Sequence, residues 1–344
     1  MSNLQIGLAV AGGLVLAGVV AHGAWTSRKN APRQAQPEGH ADVVAPTEPV
    51  LDDMDADLQA MPLPLPVRKP LLDPLIDVIA ALALDPTTAE VSGDAAIAAL
   101  PATRRVGSKP FAVEGLNAAT QTWEAPVPGQ RYSALQAGVQ LANRSGALNE
   151  IEFSEFVVKT HAFADSIGAT PDFPEMLDEV ARARELDQFA SAHDAQLGLT
   201  IRALQASWSP GFIAQCAARH GFVAGVIPGR LVLPASQEGL PPVLVLSFDS
   251  QAALAEDPAQ SAVRDISMHL DVAQVGRAET PFVRMREAAF GLAKEMDGVV
   301  TDDNGQPLAA QTLDVIGGEL DTLYETLEQR DFAAGSVLAR RLFS

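Results

Sequence analysis

The sequence predicts an α+β body behind a hydrophobic N-terminal segment, and three observations lead there. Short apolar runs of strand length outnumber the amphipathic helices that could cross between them, so the sheet should be mainly antiparallel with helices on one face. Residues 6–25 form an uncharged apolar run. Residues 26–70 contain eight prolines and no aromatic residue, a composition that cannot bury enough surface to fold. The chain has 344 residues, room for about two domains at roughly 150 residues each. With 24 basic against 43 acidic side chains the net charge is −19, which excludes nucleic acid as a partner because a phosphate backbone needs a basic face.

The first element is a membrane anchor. Residues 6–25 (IGLAVAGGLVLAGVVAHGAW) supply the 20 residues that a helix needs to cross a hydrocarbon core of about 30 Å. No Lys or Arg precedes them, which argues against a cleaved signal peptide. Arg28, Lys29 and Arg33 all follow, so the positive-inside bias places the N-terminus in the periplasm and the body in the cytoplasm of a single-pass inner-membrane protein. The lone Cys216 fits a reducing compartment. Ala9, Gly13, Ala17 and Ala21 recur every four residues along one helix face, which would permit self-association. Residues 26–70 then form a linker. Its stretch from Glu38 to Asp57 holds seven acids and no Lys or Arg, so charge repulsion and proline stiffness extend it as a tether.

The body reads as two diverged tandem copies, 71–195 and 196–330, followed by a C-terminal tail, 331–344. Each half opens with an apolar run, 75–84 (LIDVIAALAL) and 197–206 (LGLTIRALQA). In each a later helix carries apolar residues at the same spacing: Phe153, Phe156, Phe163, Ala164 and Ile167 against Phe282, Met285, Leu292, Ala293 and Met296. Gly168 and Gly298 follow as expected C-terminal caps. In the second half, Ser209-Pro210 opens a helix that Gly221 ends. Strands are expected at 222–227, 243–248 and 266–272, then a helix from Thr280-Pro281. A short strand at Gly298-Val299-Val300, a turn at Asp303-Asn304-Gly305 and a last helix with Leu313, Ile316, Leu320, Leu323, Tyr324 and Leu327 on one face complete it.

Catalytic chemistry finds little support. The six histidines show no metal-ligand spacing, no glycine-rich phosphate loop follows a strand, and no cofactor or catalytic residue is expected. Cys216 has His220 four residues on, and this pair is the whole basis for an alternative reading, a membrane-anchored hydrolase using Cys216. An anchor, a tether and a body without reactive groups suit an adaptor, not an enzyme.

The stretch LAKEMDGVVTDDNGQPLAAQTLDVIGGEL, with the run from Gly221 into Phe222-Val223-Ala224-Gly225, resembles the C-terminal domain of the ZipA family of cell-division proteins. The resemblance covers about 196–330. It implies that the domain binds the C-terminal tail of the tubulin-like protein FtsZ and tethers its filaments to the membrane during septum formation. It also implies that the tail lies in a shallow apolar groove on the helix-free face of the sheet. Period-2 alternation puts Leu197, Leu199 and Ile201 toward the helices and leaves Thr200 and Arg202 on the open face. The family's strand pattern adds Ile227, Leu246, Phe248 and His269 to that face.

Overall fold

The computed structural model describes residues 32–35, 71–85, 89–302 and 304–344. The expected anchor at 6–25 and its stripe of small residues lie outside the described residues, as does most of the linker. Among the described residues no helix is long and apolar enough to cross a membrane. The chain divides into two compact units: residues 71–194 with Val337–Ser344, and residues 32–35 with Ala195–Ser336.

The first unit runs β1 (Asp77–Leu84), α1 (Gly93–Ala99), β2 (Lys109–Asn117), β3 (Arg131–Gln140), α2 (Glu150–Ile167), β4 (Ala169–Asp172) and α3 (Met176–His193). The strands lie in the order β2-β3-β1-β4, every neighbouring pair antiparallel. Val78, Ala80 and Leu82 alternate inward against Phe153, Phe156 and Phe163 of α2, as a half-buried strand and an amphipathic helix require. Helix α2 begins in a capping box, Asn149 accepting from the Ile151 and Glu152 amides while Glu152 reaches back. It ends at Gly168, whose φ of 68° places it in the left-handed region that glycine tolerates.

The second unit runs β5 (Gln196–Ala203), α4 (Pro210–Arg219), β6 (Val223–Ala224), β7 (Arg230–Leu233), β8 (Leu244–Ser247), β9 (Asp265–Asp271), α5 (Pro281–Met296), β10 (Gly298–Thr301) and α6 (Ala310–Gln329). Its sheet order is β6-β7-β8-β9-β5-β10, again antiparallel throughout. Ser209 caps α4 by accepting from the Phe212 amide, and Pro210 stands in the first turn, where its missing N–H costs nothing. Strand β7 has no counterpart in the sequence reading. It holds four residues between Gly229 and Pro234, too few to show a period.

The pairing registers of the units correspond. Ile79 faces Gly138 across β1 and β3 while Leu82 faces Leu135; Gly198 faces His269 across β5 and β9 while Ile201 faces Ile266. Leu84 meets Ala169 as Ala203 meets Gly298. This register differs by three residues from one that aligns Leu75 with Leu197, because an apolar run does not show which of its residues pairs with which neighbour. The cap also differs. The residue at the place of Gly168 is Asp297, left-handed at φ 56°, and Gly298 is already the first residue of β10.

The expected C-terminal tail is structured. Val337–Leu342 is a helix, Leu342 and Phe343 are fully buried, and the Arg341 guanidinium meets Asp77 at 2.6 Å.

Candidate functional site

Strand alternation and ladder register together assign the sheet face of the second unit that looks away from the core. In β5, Leu199, Ile201 and Ala203 are buried and Gly198, Thr200 and Arg202 point outward. In β9, Ile266, Met268 and Leu270 are buried, and Ser267, His269 and Asp271 point outward. Residues directly opposite in a ladder share a face, so Val245 opposite His269 and Ser247 opposite Ser267 join them from β8. Arg230 opposite Ser247 and Val232 opposite Val245 join from β7.

Gly198, Arg230, Val245, Ser247 and His269 of this face, together with Pro242, line a groove of about 620 Å³. Gly198 keeps β5 low beneath the groove, Val245 and Pro242 offer apolar surface, and Arg230, Ser247 and His269 offer hydrogen-bonding groups. That mixture is of the kind that peptide-binding grooves use.

Of the six residues expected at a binding face, three are placed there. His269 lines the groove; Thr200 and Arg202 stand on the same face beyond it, Arg202 held by Asp265 at 2.7 Å. The other three are corrected. Leu246 is fully buried on the helix side, Phe248 is half-buried against the same core, and Ile227 sits 54% exposed in the turn between β6 and β7. Residues 243–246, Val-Leu-Val-Leu, are apolar at every position, so the inward phase of β8 cannot be read from them, and the family's strand pattern puts it one residue out. A one-residue slip exchanges every side chain between faces. The missed residues are Arg230, Val232, Val245 and Ser247. Ser247 was the available signal: the first polar residue after the run points outward, and Val245 two positions earlier must follow it.

The corresponding face of the first unit is occupied. Leu72 is 6% exposed and lies so close over Gly138 that a Cβ there would be 2.6 Å from its Cδ2. The Leu71 and Leu72 amides both donate to the Glu114 carboxylate, and the Leu71 carbonyl accepts from Arg341 at 2.6 Å. On the other side of β1, Val78, Ala80 and Leu82 face the core.

Cys216 is fully buried in α4. Burial, with a smaller contribution from the Glu295 carboxylate, pushes its thiol up to about 11. At neutral pH the thiolate is then a fraction of order 10⁻⁴. His220 lodges against Gly291, with its Nε2 3.3 Å from Glu295 Oε2. These surroundings do not make a nucleophile. Alkylation of the native chain with iodoacetamide is expected to run at least about 100-fold slower than that of a free cysteine, reaching the free rate only in denaturant. Rapid labelling of the folded protein would restore the hydrolase reading. Among the described residues no group of three or more His, Cys, Asp or Glu side chains is placed to hold a metal ion.

A family model described as ZipA, C-terminal FtsZ-binding domain, matches residues 248–317, a span that contains β9, α5, β10 and the start of α6. No curated protein matches the chain.

Proposed function

We propose, on the premise that the second unit carries a ZipA-type C-terminal FtsZ-binding domain, that this protein is a membrane adaptor of the division ring. Residues 6–25 anchor it in the inner membrane with the body in the cytoplasm, and the groove over β5, β9, β8 and β7 takes the C-terminal tail of FtsZ. The observation that carries this reading is the open groove on the helix-free face of the unit that the family model matches. The matched family is one of binding domains, which agrees with a groove that mixes apolar surface with a few hydrogen-bonding side chains.

The anchor is supported by the uncharged run and by the basic residues that follow it. Self-association through Ala9, Gly13, Ala17 and Ala21 rests on their four-residue spacing alone. We further read the two units as diverged tandem copies, on the strength of their common strand order and common pairing registers. In this reading the second copy kept the open face. The first has covered its own with Leu71 and Leu72.

The test is fluorescence anisotropy of a labelled FtsZ C-terminal peptide titrated with the protein. Saturable binding, competed by unlabelled peptide, is expected. An unchanged anisotropy up to millimolar protein would reject the adaptor reading.

A further inference from the structure

Residues 32–35 belong to the linker by composition, yet they dock on the second unit. Pro32 is buried and Arg33 forms a parallel bridge with Trp208, its amide donating to the Ser207 carbonyl at 2.7 Å and its carbonyl accepting from the Ser209 amide at 2.8 Å. Trp208 is fully buried and is tied on its other side to Val263 by two backbone hydrogen bonds of 2.8 and 2.9 Å. The short segment therefore adds one parallel bridge beside the isolated Trp208–Val263 bridge.

The Arg33 side chain finds a matched receptor. One guanidinium nitrogen donates to the Met296 carbonyl at 3.2 Å and another to the Asp297 carboxylate at 3.0 Å. Both acceptors stand at the C-terminus of α5, where the last carbonyls lack intrahelical partners and the helix dipole is negative. Trp208 Nε1 donates to the same Met296 carbonyl at 2.8 Å, so one helix end gathers the indole and the guanidinium together. Two diverging acceptors suit the planar fork of arginine and not the single ammonium of lysine. Gln34 adds a bond to the Ala259 carbonyl at 3.4 Å.

We propose that the surface made by Trp208 and the C-terminal end of α5 is the docking site of the chain's own residues 32–35, and that Arg33 is the residue it recognises. The linker is thereby divided in two. Residues 36–70 connect the docked strap to the first unit, and only the few residues before it separate the second unit from position 25. Eight residues from 25 to 33 reach at most about 29 Å when fully extended. Where residues 6–25 are in the membrane, as the proposed function has it, the groove is held close to the bilayer and the acidic stretch does not set its distance.

The docking is tested in detergent, without a bilayer or FtsZ, so its failure and that of the adaptor reading are distinguishable. The Cβ of Ala35 lies 3.7 Å from where a Cβ at Gly211 would stand, within the span of a disulfide. The full chain carrying C216A, A35C and G211C is oxidised in a glutathione buffer and followed by non-reducing electrophoresis and peptide mass analysis. An intramolecular bond is expected in most molecules, at a rate independent of protein concentration. Adding R33A is expected to slow its formation about tenfold or more, with R33K restoring only part of the rate. A bond that forms no faster than in a control pair of A35C with G318C, or only between chains, would overturn the docking. Equal rates with Arg33 and R33A would overturn the role of the arginine.

Discussion

Replacing Val245 by Arg is expected to weaken binding of the FtsZ tail by roughly 30- to 700-fold, while the thermal midpoint stays near that of the parent. Val245 lines the groove from β8 and stands opposite His269 in one ladder and Val232 in the other. A long cation there removes apolar contact and fills the space the peptide needs; loss of a central anchor typically costs about 2–4 kcal/mol of binding, which is that fold-change. The next residue should behave in the opposite way. Leu246 is fully buried against the helices, so Leu246→Ala leaves a core cavity worth about 2–5 kcal/mol of stability and leaves the folded fraction's affinity almost intact. Peptide titrations paired with urea melts of both variants separate the two effects. An unaltered affinity in Val245→Arg would remove the tail from this groove.

Replacing Arg341 by Ala is expected to destabilise the first unit by about 3–5 kcal/mol, although only three residues of the sequence follow Arg341. Its guanidinium meets the Asp77 carboxylate at 2.6 Å, and the Asp77 side chain is wholly buried. Without Arg341 the carboxylate keeps the Asp73 amide at 2.8 Å and no compensating charge, the situation in which half a buried ion pair is most costly. The pH dependence follows from the sign of the shift. Burial raises the carboxyl of Asp77 above its ordinary value, and Arg341 pulls it back only partly. A raised carboxyl means that the native state binds its proton more tightly than the unfolded chain. The stability it contributes is full below the unfolded value of 3.8 and is lost as pH rises through the raised native value. Removing Arg341 raises that native value further and widens the window. The gap between parent and variant should therefore be largest at neutral pH and shrink on acidification, and Asp77→Asn should close most of it. Urea melts from pH 5 to pH 8 measure this; a gap that does not change with pH would assign the loss to packing of the last helix.

The features legible from residue order are local and periodic. The mutual spacing of Phe153, Phe156 and Phe163 and that of Met285, Leu292 and Met296 follow one face of a helix, and all six residues are buried. Ser209-Pro210 placed the start of α4 within a residue, because a cap acts on amides two and three positions away. In β5 polar and apolar residues alternate, and its inward face was legible for that reason. The remaining features depend on contacts between distant residues. The phase of β8 depends on which β9 residue stands opposite each of its own; the apolar run 243–246 carries no mark of that choice, and Ser247 is the one residue of the strand that hints at it. Asp297 takes the left-handed cap in place of a glycine while its carboxylate holds Arg33, a residue 264 positions away. Whether Arg33 belongs to a loose linker, or Arg341 to a tail, cannot be read from their neighbours. Their partners, Asp297 and Asp77, are reached only when the chain has folded, and a contact across such separations leaves no period in the sequence.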